Sequence, residues 1–138
     1  MNANERWFEG HLHELDEREC WEMVRTREVG RVAYDDDRGP MVVPVTYALD
    51  DESVLFRVAP YADLARHLPD APVAFEVDEI DYFNHTGWSV VLRGSVRRVE
   101  SSDLPPPDDR PSPWPAGQRT LYLRLTPDTV TGRRLLEA

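Results

Sequence analysis

The chain has no lysine; all 16 of its basic residues are arginine. That absence excludes Schiff-base chemistry on a side chain, and with it a covalently held pyridoxal phosphate. It also leaves the binding of any anion to guanidinium groups and backbone amides. Cysteine is nearly missing too. Cys20 stands alone, so neither an intrachain disulfide nor a thiolate metal cluster can form, and its place beside Trp21 and Met23 reads as a buried structural thiol. The histidines do not make up for it. His67 and His85 fall in separate elements, and His11 and His13 lie in an N-terminal arm, with no ligand spacing among them, so no metal site is expected. No apolar run approaches the roughly 20 residues that cross a bilayer. Met1 to Arg6 opens polar and mixed in charge, unlike a secretion signal, and a cytoplasmic protein is expected. Positive charge is scarce, with 16 basic against 26 acidic side chains and a net charge of -10. Such a surface repels phosphate backbones and anionic headgroups, which argues against nucleic acid and membranes as partners.

What is present is a run of short, clearly punctuated elements. Asp16 with Glu19 three residues on forms a capping-box pattern, and Cys20, Met23 and Val24 follow at helical spacing, which predicts a helix over 16–26. The period then changes to two. Val29 to Tyr34, Pro40 to Leu49 and Ser53 to Val58 are rich in β-branched and aromatic residues and are separated by acidic turns, the pattern of an antiparallel meander. Leu64, Ala65 and Leu68 mark one face of a short helix over 61–68. Strands follow at 72–78 and 88–99, the second with Gly94 where a barrel strand could bend. Prolines at 105, 106, 107, 111, 113 and 115 forbid a regular helix there, and residues 101–117 read as a surface connection. Leu121, Leu123 and Leu125 alternate in a last strand over 120–125, and a tail from Val130 to Leu135 ends the pattern.

A chain of 138 residues with 41% hydrophobic content can bury one core, so a single domain over 1–138 is expected, with residues 1–14 a mobile arm. Six strands and two short helices give a mainly β (α+β) fold. The expected architecture is a six-stranded antiparallel split β-barrel, since closure removes exposed edges; an open sandwich is the alternative.

The order of segments resembles the pyridoxamine 5'-phosphate oxidase-like family of flavin-binding split barrels. The resemblance rests on Val29-Gly30-Arg31-Val32-Ala33, Val43-Pro44-Val45-Thr46-Tyr47, Phe56-Arg57, Phe75-Glu76-Val77-Asp78, Gly87-Trp88-Ser89-Val90, Pro113-Trp114-Pro115 and Val130-Thr131-Gly132-Arg133-Arg134. It implies a homodimer with two clefts shared between subunits, each holding flavin mononucleotide (FMN) or, in some branches, the deazaflavin coenzyme F-420. By that likeness Val43, Pro44, Val45, Thr46 and Tyr47 lie along the isoalloxazine edge, and Arg57 meets the phosphate. Trp88 and Ser89 wall the cleft, and Arg133 or Arg134 closes it. The implied activity is that of a flavin- or deazaflavin-dependent oxidoreductase on a small molecule.

The chemistry of these residues agrees with that placement. Pro44 has no backbone donor, so its strand must lie at an edge, a bulge or a ligand-facing rim. Arg57, at a strand end, can grip a phosphate bidentately. Trp88 reads equally as a barrel plug. The stretch after Arg57 departs from the family pattern. Val58 and Ala62 stand where hydroxyls are usual, Tyr61 replaces a glycine and Asp63 a cation, while Arg66 one turn on could substitute or simply be an exposed helix arginine. The altered stretch supports a second reading, a cofactor-free dimeric barrel that acts as a binding or regulatory module.

Overall fold

The computed structural model describes residues 12–112 and 120–136. Its elements are β1 (Leu12–Leu15), α1 (Glu17–Val24), β2 (Val29–Asp36), β3 (Gly39–Leu49), β4 (Val54–Val58), α2 (Asp63–His67), β5 (Pro72–Asp81), β6 (Thr86–Arg98) and β7 (Leu121–Leu135). Short 3-10 turns at Ser101–Asp103 and Pro107–Asp109 lie in the proline-rich connection. The capping box forms as the sequence predicts. Asp16 Oδ1 accepts from the Glu19 amide at 2.8 Å, and Glu19 Oε1 accepts from the Asp16 amide at 3.1 Å.

The sheet is antiparallel and closes into a ring. Its order is β1-β7-β4-β3-β2-β5-β6, and β6 pairs back onto β7, so strands β2 to β7 complete a barrel of six. There is one strand more than expected. β1 pairs with the far half of β7, Leu12 opposite Leu135 and Leu15 opposite Gly132, and removes residues 12–14 from the expected mobile arm. Four residues with two polar positions carry too little alternation to announce a strand. The second correction concerns β7. It runs unbroken through the segment expected as a separate tail, because Pro127 and Gly132, which read as breakers, are both accommodated. Pro127 sits opposite Gly94 at the register shift in β6, where a missing donor costs nothing. Pro113-Trp114-Pro115 lies outside the described residues.

Inward positions of the strands fill the ring. Val54, Phe56 and Val58 of β4, Val73, Phe75 and Val77 of β5, and Val90, Leu92 and Val96 of β6 are buried together. Phe75 makes edge contacts at 5.1 Å between ring centroids with both Tyr47 and Phe56. Helix α1 closes one side with Cys20, Trp21 and Val24, and burial pushes the Cys20 thiol up, which keeps it protonated. Among the described residues no helix is long and apolar enough to cross a membrane.

Candidate functional site

β3 changes partners along its length. Residues Gly39 to Thr46 pair with β2, whereas the pairing with β4 begins only at Tyr47. The half of β3 that contains Pro44 therefore has one edge without a neighbouring strand among the described residues, as the missing amide of a proline requires. Beside this edge opens a cavity of about 390 Å³. Its walls are Val29, Pro44, Val45 and Thr46 on one side and Arg57, Val58, Ala59, Tyr61, Ala62 and Leu64 on the other. The lining is apolar apart from Thr46, Arg57 and the Tyr61 hydroxyl. Arg57 projects from β4 toward its cross-strand neighbour Tyr122, whose ring centroid lies 5.4 Å from the guanidinium carbon. Such a contact orients the fork while leaving it positively charged.

Tyr47 is placed differently from its neighbours. Its side chain is buried in the core, its hydroxyl donates to the Val24 carbonyl, and burial pushes its phenol well above the usual range. Val43 packs partly against the core and does not line the cavity. Arg66 is also absent from the wall. It is largely exposed on α2 and pairs with Asp37 at 3.6 Å and Asp63 at 3.4 Å. Asp63, which stands where the family pattern has a cation, does not line the cavity either. Its Oδ2 accepts from the Tyr34 hydroxyl at 2.9 Å. Burial and that bond together push the Tyr34 phenol up to about 12.

The remaining predicted residues gather elsewhere. Trp88 is cross-strand to Arg134 and Ser89 to Arg133, so β6 and β7 bring these four together. Trp88 and Arg134 line a second cleft of about 660 Å³ with Glu79, Ile80 and Tyr82. Ser89 and Arg133 follow them on the opposite face of the sheet. Trp88 is 8% exposed and belongs to the core cluster, as a barrel plug does, and its remaining surface lines this second cleft. The two clefts are remote from each other along β7. Arg57 is level with Tyr122 and Trp88 with Arg134, twelve residues further on. At roughly 3.3 Å per residue that is up to about 40 Å of extended strand.

Two participants have no sequence signal. Tyr122, which orients Arg57, reads only as an outward position on an alternating strand, and Tyr34 reads only as a strand aromatic. Each meets its partner through strand pairing or helix docking across a long stretch of sequence. A third charged group lies near the open edge. Arg31, cross-strand to Pro44, donates to Glu76 at 3.2 Å and to Asp78 at 3.1 Å. Glu76 is pushed up to about 7, first by burial and then by Asp78.

Residues 16–134 match the family model of pyridoxamine 5'-phosphate oxidase. The chain belongs to that family. One family relative, the uncharacterized protein Rv0080 of Mycobacterium tuberculosis, is 30% identical over 129 residues, covering 89% of this chain and 85% of its own. The structure of an FAD binding protein from Mycobacterium smegmatis is 27% identical with a TM-score of 0.71, covering 90% of this chain and 98% of that one. An FAD-binding protein from Mesorhizobium loti, at 23% identity and a TM-score of 0.73 over 91% of this chain and 98% of its own, shares the fold.

Proposed function

We propose that the protein is a homodimeric flavin-binding oxidoreductase with the cavity beside β3 as half of its cofactor site. The observation that carries this reading is an apolar cavity at an open strand edge with an oriented arginine in its wall. A flat ring system is served by the shelf of Pro44, Val45 and Thr46, and a phosphate by Arg57. Family membership and the likeness to the FAD binding protein of M. smegmatis support a flavin-type cofactor. Within that class we favour FMN, because Arg57 is the single guanidinium lining the cavity among the described residues, which suits one phosphate better than the diphosphate of FAD. When bound, such a ring supplies hydride transfer. The chain's own residues bind and orient it, and Val58, Ala59 and Leu64 keep water from its apolar face.

At about 390 Å³ the cavity lies near the lower end of ligand sites, which run from roughly 300 to 1,000 Å³. A second copy bringing its Trp88 and Arg134 would complete the cleft. Titration of the purified protein with FMN, FAD and the deazaflavin, followed by tryptophan fluorescence, tests the reading. Saturable quenching is expected, and Arg57→Ala is expected to weaken binding at least tenfold, about 1.4 kcal/mol. Unchanged affinity in that variant would remove Arg57 from the site. The second reading, a cofactor-free module for an apolar ligand, draws on Val58, Ala59 and Ala62, which offer no side-chain donors. A colourless protein that ignores all three coenzymes but binds an apolar dye would favour it.

A further inference from the structure

We infer that Tyr61 is the stacking residue of the cavity beside β3: its ring stands at the mouth and covers the outer face of a flat aromatic ligand seated on the shelf of Pro44, Val45 and Thr46. The inference rests on the flavin-binding reading above and deepens it by naming a ligand-contacting side chain that the family pattern, with a glycine at this place, does not supply. An exposed aromatic needs no explanation by itself. Two observations give this one a role. Tyr61 is 81% exposed and yet lines the cavity, so its ring lies at the rim, in contact with both the interior and water. Among the described residues the other large exposed hydrophobic side chains, Tyr82 and Phe83 included, take no part in this lining.

The second observation is the backbone that carries the ring. The Ala62 amide donates to the Ala59 carbonyl at 3.0 Å and closes a turn whose two central residues are Pro60 and Tyr61. Proline at the first central position sets its own φ in advance. Ala59 is 2% exposed and Leu64 8%, so the chain is anchored in the core on both sides of the turn. The ring is therefore presented from a fixed backbone, and little further ordering is needed when a ligand arrives. Its chemistry also sets the class of ligand. Among the described residues Tyr61 is the single aromatic ring in the lining, whereas Pro44, Val45, Val58 and Leu64 are aliphatic. Aliphatic walls accept any apolar molecule of the right size. A phenol face favours a planar π-system by about two- to tenfold in affinity beyond the area it covers. The contact is with the ring of the ligand and not with its phosphate, so it does not depend on what Arg57 holds.

The test titrates FMN and riboflavin, which share the ring while riboflavin lacks the phosphate, into the parent, Tyr61→Phe and Tyr61→Leu. Leucine keeps an apolar cover and removes the π face. Tyr61→Leu is expected to weaken both ligands by the same factor, about fivefold, and Tyr61→Phe to stay within about twofold of the parent for both. Because the side chain is largely in water, the thermal midpoints of both variants are expected to match that of the parent. A lowered midpoint would overturn the inference by showing that Tyr61 packs into the fold. Unchanged affinity in Tyr61→Leu, a loss confined to FMN, an equal loss in Tyr61→Phe, or a parent that binds FMN alone would also overturn it and leave the cofactor reading intact. A parent that binds neither ligand would overturn both.

Discussion

Glu76 shows how burial and ion pairing compete at one side chain. Arg31 reaches both Glu76 and Asp78, yet Glu76 is pushed from 4.5 up to about 7, because burial and the neighbouring carboxylate together outweigh the guanidinium. The sign for stability follows. A carboxyl that holds its proton more tightly when folded contributes stability below pH 4.5 that is lost as the pH rises through about 7. Glu76→Gln, which mimics the protonated form, is therefore expected to match the parent in urea denaturation at pH 4 and to exceed it at pH 8. A less stable variant at pH 8 would show that the Arg31 pair dominates after all. Single residues were legible in the sequence where their own chemistry decides their place. Pro44 had to be at an edge because it lacks a donor, and Arg57 is one of few ways to bind an anion in a chain without lysine. Tyr122 and Tyr34 were not legible, since what they do depends on a partner supplied by another element.

Between residues and fold stand the close approaches that let elements dock. Gly132 is one. A Cβ there would lie 2.7 Å from Cys20 Sγ and 3.1 Å from the Ser89 carbonyl oxygen, so α1 rests on β7 only because no side chain intervenes. Gly132→Ala is expected to destabilise the protein by about 1–3 kcal/mol in chemical denaturation, as overpacking does. Adding Cys20→Ala should recover part of that loss by vacating the contact. No recovery would mean that the Ser89 backbone, not α1, sets the limit. The helices and the meander were readable from capping and alternation, both local properties. β1 was not readable, because it is short and half polar and is stabilised by a strand at the other end of the sequence. The extent of β7 was hidden for a related reason. Proline and glycine signal a break unless the opposing strand bulges to receive them, and that bulge, at Gly94, lies on another strand.

At the scale of the molecule, the separation of the two clefts is the main constraint on function. A site that needs both Arg57 and Arg134 cannot be assembled within one protomer whose strand spaces them twelve residues apart. A mixing experiment addresses this directly. Arg57→Ala and Arg134→Ala proteins, each expected to bind FMN poorly alone, should regain up to about a quarter of parental sites when mixed and allowed to exchange, since each hybrid dimer rebuilds one cleft. Failure to regain any, with dimers verified by light scattering, would place the whole site within a single subunit. β7 also bears on how the molecule comes into being. It borders β4, β6 and β1, so the first strand described has no partner, and the ring no closure, until β7 is available to pair. Until then the emerging chain can form only an open sheet with bare edges. Those bare edges are open to wrong partners, and the docking of β7 against β4, β6 and β1 is the step that covers them.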